Sequence, residues 1–173
     1  LCYSFNCSIH ENTFDIYFYN LKTKSKKLTQ VSYTPFVNER RPIAVDSSYF
    51  SYLSDHSGIV NRQMAYLKDV IAYYEQVITL KDGTEIILHQ DSTLTSLDTT
   101  LIDTIALRPY IVKKAFKHNN SNYHRNILEH HSAPKVNTLV ELIRENNKIN
   151  FYLRNLEPTQ QVVAQRTRYF EQS

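Results

Sequence analysis

Residues 38–67, NERRPIAVDSSYFSYLSDHSGIVNRQMAYL, constrain the fold more than any other part of the chain. Pro42-Ile43-Ala44-Val45 is a short apolar run, Asp46-Ser47-Ser48 has turn chemistry, and Tyr49-Phe50-Ser51-Tyr52-Leu53 is built from strand formers. A second turn, Ser54-Asp55-His56-Ser57-Gly58, leads into residues 59–67. Gly58 is one of only two glycines, and its position directly after Ser and Asp predicts a turn with positive φ. Three strands joined by two tight turns make an antiparallel meander, so the expected class is all-β.

The flanking sequence reads the same way. A strand is expected at 14–21 (FDIYFYNL), with Ile16 and Phe18 on one face and Tyr17, Tyr19 and Leu21 on the other. Both faces are partly apolar, as in a sheet stacked between sheets. Residues 22–26 make a polar turn, 27–30 a short strand, and 31–37 a linker. In 71–80 (IAYYEQVITL) the β-branched and aromatic content favours strand over helix. Asp82-Gly83 between two apolar runs is the strongest hairpin signal in the chain.

Residues 90–103 lack clean periodicity and read as a loop, and a further strand is expected within 106–116. In 121–134 Ile127 and Leu128 mark a short strand. Residues 136–144 and 149–156 form a hairpin across Glu145-Asn146-Asn147-Lys148, where Ile149, Phe151 and Leu153 alternate with Asn150, Tyr152 and Arg154. A helical alternative exists for 136–146, because Leu139, Leu142 and Ile143 also satisfy a helix face. Residues 161–170 are the expected return strand.

Composition narrows function mainly by exclusion. A chain of 173 residues, 42% hydrophobic, has enough apolar content for a core, and 13 Tyr with no Trp suit half-buried strands. Twenty Lys+Arg against 17 Asp+Glu give +3, too small and mixed a charge to argue for nucleic acid. The basic blocks at 22–27 and 113–117 read as solvated faces. No apolar run approaches the roughly 18 residues of a membrane-spanning helix. The absence of an initiator Met and of a signal-like start suggests a piece of a longer protein. Cys2 and Cys7 are spaced for a small disulfide loop or stand as free thiols, and both readings are open.

No residue is expected to be catalytic, cofactor-binding or metal-binding. His118, His124, His130 and His131 cluster in sequence, but their spacings fit no standard zinc site and no cysteine is near, so they read as surface or loop histidines. Gly58 and Gly83 lie too far apart for a glycine-rich phosphate loop. No serine stands in a Gly-x-Ser-x-Gly elbow, and Asp55-His56-Ser57 are neighbours in a turn. Tyr17, Tyr49, Tyr52, Tyr66, Tyr73, Tyr74 and Tyr152 read as sheet packing.

A repeat organises these elements. Three strand ends are alike: Tyr19-Asn20-Leu21-Lys22-Thr23, Ala65-Tyr66-Leu67-Lys68-Asp69 and Arg154-Asn155-Leu156-Glu157. Leu21 and Leu67 are about 45 residues apart and Leu156 lies about twice that distance further on, the period of four-stranded propeller blades. The pattern Ile16-Tyr17-Phe18-Tyr19-Asn20-Leu21-Lys22-Thr23, followed by Leu28-Thr29, resembles the repeats of TolB-like, WD40-like β-propellers. Pro42, Asp46 and the Tyr52-Leu53-Ser54-Asp55 to Gly58 turn resemble the opening of the next repeat, with Ala44-Val45-Asp46-Ser47 replacing the usual Ser-Pro-Asp-Gly. The resemblance is closest over 14–69, weaker over 121–165 and poor over 70–120.

The resemblance implies about three four-stranded antiparallel blades of a larger propeller. Residues 1–37 would end one blade, 38–80 form a well-matched blade, 81–120 a degenerate one, and 121–173 a further one. It also implies a non-catalytic scaffold that binds other proteins of a bacterial cell-envelope complex, in the periplasm or at the outer membrane. The alternative is the propeller domain of a prolyl-oligopeptidase-like serine peptidase. Contacts are expected on the stretches 90–103 and 117–134, with Tyr110 and Tyr123 as exposed anchors.

Overall fold

A computed structural model describes residues 13–22, 28–92 and 98–167. The expectations for Cys2, Cys7, residues 5–9, most of the 22–26 turn and residues 168–170 fall outside them; residues 161–167 are described and contain no strand, so the return strand expected over 161–170 does not form there. The described chain is all-β, with several antiparallel sheets and two single-turn 3-10 helices. It divides into two compact units: the residues up to Leu67 together with those from Ala115 onward, and Lys68–Lys114.

The first unit opens with β1 (Tyr17–Phe18) and β2 (Thr29–Gln30), paired antiparallel. Next come β3 (Glu39–Ala44), β4 (Tyr49–Ser54) and the start of β5 (Asn61–Leu80), in the order β3-β4-β5. The turns obey the expected chemistry. The Asp46 carboxylate accepts from the amides of Ser48 (2.6 Å) and Tyr49 (2.7 Å), and Gly58 has φ 82° while its amide donates to the Asp55 carbonyl. The β3–β4 register shifts between Arg40 and Ile43, where Arg41 takes φ 58°. This bulge next to Pro42 turns the Arg41 carbonyl to a partner described below.

The meander β4–β5 has two apolar faces. Tyr52 pairs with Gln63 and Phe50 with Ala65, and Tyr52, Phe50 and Ala65 pack on Ile16, Val31 and Phe18 from β1, β2 and the residues beside them. Leu53 pairs with Arg62 and Ser51 with Met64, and this opposite face meets a three-stranded sheet. That sheet is β8 (Ile127–Ala133), β9 (Thr138–Glu145) and β10 (Lys148–Asn155), in the order β10-β9-β8. Leu139 packs with Val45 and Met64, and Ile127 and Ile143 pack with Leu53. The first unit is therefore a stack of three sheets, each formed by the next stretch of chain.

The β9–β10 hairpin forms as expected, and strand prevails over the helical alternative. Asn146 and Asn147 both adopt positive φ (48° and 62°), the primed turn geometry that matches strand twist. Alternation holds too, but its apolar side is the outer one: Ile149, Phe151 and Leu153 are exposed, Phe151 and Leu153 by 71% and 75%.

The second unit holds the distal part of β5, β6 (Glu85–His89) and most of β7 (Ile102–Asn119). Residues 75–79 of β5 pair antiparallel with β6, and β7 also pairs with β5. Asp82-Gly83 makes the β5–β6 turn, with Gly83 at φ 85° and the Asp82 carboxylate accepting from the Thr84 amide. Tyr73 stacks on Tyr110 at 4.7 Å, and Lys113 and Arg108 reach Asp69 and Glu75 at 2.8 Å and 3.1 Å.

Several elements differ from the sequence reading, beginning with the strand expected over 14–21, which is only Tyr17–Phe18. Strands were expected at 59–67 and from 71, yet β5 runs unbroken from Asn61 to Leu80, because nothing between Leu67 and Ile71 breaks a strand: there is no Gly or Pro. The boundary expected near 80 falls at the β5–β6 turn, inside the second unit. Of the two stretches expected as long loops, 90–103 holds no strand before Ile102 among the described residues, whereas 117–134 is more than half strand: β7 runs to Asn119 and β8 covers 127–133, leaving 120–126 between them. Polar side chains on half-buried β8 hid its extent.

Candidate functional site

The polar residues of the first unit converge between β5 and the β8–β10 sheet. Arg62 faces that sheet because it shares the face of Leu53 and Met64, and Glu141 faces back because it lies between Leu139 and Ile143 on β9. Both side chains are buried, and Arg62 Nη1 donates to Glu141 Oε1. Arg62 Nε donates to Asn120 Oδ1 at 2.8 Å, and Asn120 Nδ2 in turn donates to the carbonyls of Glu157 and Gln160. Burial pulls the Arg62 guanidinium below its ordinary value.

Glu141 accepts more than one charge-assisted bond. Its Oε2 takes the Tyr123 hydroxyl at 2.9 Å and Arg154 Nε at 3.0 Å. The Arg154 guanidinium lies over the Tyr123 ring, 4.8 Å from its centroid, and 5.4 Å from that of Tyr152. A polar cleft of about 510 Å³ opens here, lined by Arg62, Asn120–Tyr123, Leu153–Asn155, Glu157, Gln160 and Val162. A smaller cleft of about 260 Å³, lined by His124, Arg125, Glu145 and Tyr152 among others, shares Asn122, Tyr123 and Arg154 with it.

A second buried polar group lies by the first sheet. Glu39 is buried, receives Thr34 Oγ1 at 3.3 Å on Oε1 and has Lys117 Nζ at 3.6 Å, while its Oε2 and the Tyr52 hydroxyl are buried without hydrogen-bond partners. Burial raises the Glu39 carboxyl above its usual value. The unfolded chain then gives up this proton at lower pH than the folded one, so the contribution of Glu39 to stability falls as pH rises past the ordinary carboxyl range. Glu39→Gln is expected to stabilise the protein by about 1 kcal/mol at pH 7 and to have no effect near pH 4. Chemical denaturation at the two values checks this; equal effects at both would refute the charge as the cause.

The two tyrosines expected as exposed anchors are both half-buried. Tyr110 lies in β7 stacked on Tyr73, in the second unit, whereas Tyr123 belongs to the cleft and is held through its hydroxyl by Glu141 and through its amide by Asn61 Oδ1 at 2.7 Å. Of the four histidines, His124 and His131 are exposed and His118 is half-buried, but His130 is a core residue, at 1% exposure, rather than a surface one. It sits on β8 with Nε2 2.7 Å from the Arg41 carbonyl, to which it must donate, and Nδ1 3.2 Å from Ser51 Oγ, from which it accepts. Among the described residues no group of three or more His, Cys, Asp or Glu is placed to hold a metal ion.

The sequence reading missed Arg62, Asn120, Glu141 and Arg154. The usable signal was Glu141: a carboxylate at the centre of Leu139-Val140-Glu141-Leu142-Ile143, in phase with the inward Leu139 and Ile143, demands a buried cation. No helix among the described residues is long and apolar enough to cross a membrane. Comparison with protein-family models, curated proteins and solved structures finds no match.

Proposed function

We propose that this chain contributes blades to a TolB-like β-propeller that acts as a non-catalytic protein-binding scaffold in a bacterial cell-envelope assembly, periplasmic or outer-membrane-associated. The observation that carries the reading is the stack of three sheets in the first unit, laid down in chain order with apolar faces between them. On this reading β3, β4, β5 and β7 are the four strands of one blade and β8–β10 belong to the next. Residues 68–114 are an insertion between its third and fourth strands, in place of the degenerate blade expected over 81–120. Setting them aside leaves Leu67 and Leu156 about one repeat apart, close to the spacing of Leu21 and Leu67.

The exposed Ile149, Phe151 and Leu153 are then the face on which a further blade would pack. The scaffold role rests on the cleft around Tyr123 and Arg154, whose polar walls suit recognition more than bond-breaking. A photo-crosslinking residue placed at Asn122 in the whole protein is expected to give one discrete protein adduct in the native host. A fluorophosphonate probe is expected to label no serine of that protein. Diffuse or absent crosslinking would overturn the binding role, and serine labelling would favour the peptidase alternative.

A further inference from the structure

The larger cleft has a specific chemical preference. Arg154 is fixed by three contacts: Nε is bound to Glu141 Oε2, and the guanidinium plane rests near two tyrosine rings. Its two terminal nitrogens make no hydrogen bond among the described residues, and its side chain is 41% exposed. Glu141 is already shared between this guanidinium and that of Arg62, so one buried carboxylate faces two cations. A planar, immobilised fork with two free donors matches a carboxylate in bidentate geometry. Holding it in place beforehand removes the ordering cost that a mobile surface arginine would carry.

The walls point to a peptide rather than a free anion. Asn122, Asn155 and Gln160 present side-chain amides of the kind that pair with backbone, whereas phosphate sites gather several cations or a run of free amides. Among the described residues β10 is the outer strand of its sheet, so the backbone of Leu153–Asn155 has a side that none of them pairs with, on which an extended segment can lie. Arg125, exposed and without a partner among the described residues, adds positive charge at the adjoining cleft. Two acids also stand here: Glu145 is tied to Tyr152 and Asn150, and exposed Glu157 lines the same cleft.

We infer that this cleft binds an extended acidic segment of a partner protein, one carboxylate of which is clamped by the Arg154 fork. The inference deepens the scaffold reading and rests on it. The probe is a capped hexaglutamate peptide titrated into the whole protein, followed through the side-chain Nε–H resonance of Arg154. That resonance is expected to shift, and Arg154→Lys, which keeps the charge and loses the fork, is expected to weaken binding about tenfold at a temperature where thermal denaturation shows the variant fully folded. Glu157→Gln is expected to tighten binding, and Lys114→Gln, on the other unit, to leave it within about twofold.

Equal weakening by Lys114→Gln would reduce the effect to net charge and overturn the proposal. Inorganic phosphate shifting the resonance as strongly would mean an adventitious ion only, and weakening by Glu157→Gln would also refute the clamp. Binding that appears only after truncation at Thr167 would assign the cleft to the chain's own following residues. Loss of hexaglutamate binding with the Asn122 crosslink retained would remove the acidic preference and leave the scaffold role standing.

Discussion

Glu141→Gln is expected to lower the unfolding free energy by about 3–5 kcal/mol, the cost of leaving the Arg62 cation buried without its counter-charge. Glutamine keeps the shape of the side chain, so cavity formation does not contribute. The Tyr123 hydroxyl and Arg154 Nε lose a charged acceptor at the same time, and both have some access to solvent to offset that loss. The paired replacement Arg62→Met with Glu141→Leu is expected to recover most of the loss, since a buried ion pair adds little over well-packed apolar groups. Urea denaturation of the single and double variants measures both. A single variant within about 1 kcal/mol of the parent would mean that Arg62 is solvated in the folded protein.

Acid is expected to destabilise the fold before any carboxylate network does so, through His130. Burial, assisted by the nearby positive charges of Arg62, His131 and Arg41 and opposed by the bond to the Arg41 carbonyl, pulls this imidazole down from 6.5 to about 4. Between those values the unfolded chain binds a proton that the folded chain refuses, so stability rises with pH across the window. The contribution is complete above 6.5 and is lost as pH falls towards 4, a change of roughly 3 kcal/mol. Glu39, whose carboxyl burial raises, titrates with the opposite sign, so the slope is best read in a Glu39→Gln background. His130→Gln is expected to remove most of that slope; a slope unchanged by it would locate the proton uptake elsewhere.

Much of the architecture was legible because it rests on local chemistry. Asp46, Gly58, Asp82-Gly83 and Asn146-Asn147 each mark a turn whose backbone they can adopt and few other residues can, and the strands between them follow. What was not legible depends on partners distant in sequence. His130 looks like a loop histidine in Leu128-Glu129-His130-His131-Ser132, and only the Arg41 carbonyl, aimed by a bulge beside Pro42, makes it a core residue. Arg62 reads as an ordinary polar position until Glu141 arrives from 79 residues away. Tyr123 was expected to be exposed and is half-buried, since its hydroxyl is held by that same carboxylate. Tyr110 was expected at the same surface, and its stacking on Tyr73 places it in the other unit.

Leu67 and Ala115, where the chain leaves the first unit and re-enters it, lie on neighbouring strands, with Tyr66 stacked on Phe116 at 5.5 Å. A chain that departs and returns at one doorway closes its body at nearly the same entropic cost whatever the length of the excursion, since that cost grows only with the logarithm of length. Residues 68–114 thus form a cassette that a lineage can lengthen, shorten or trade while the stacked sheets stay under their own selection. The same doorway is a ready graft point, where a foreign hairpin could be spliced in without rewriting the body that carries it.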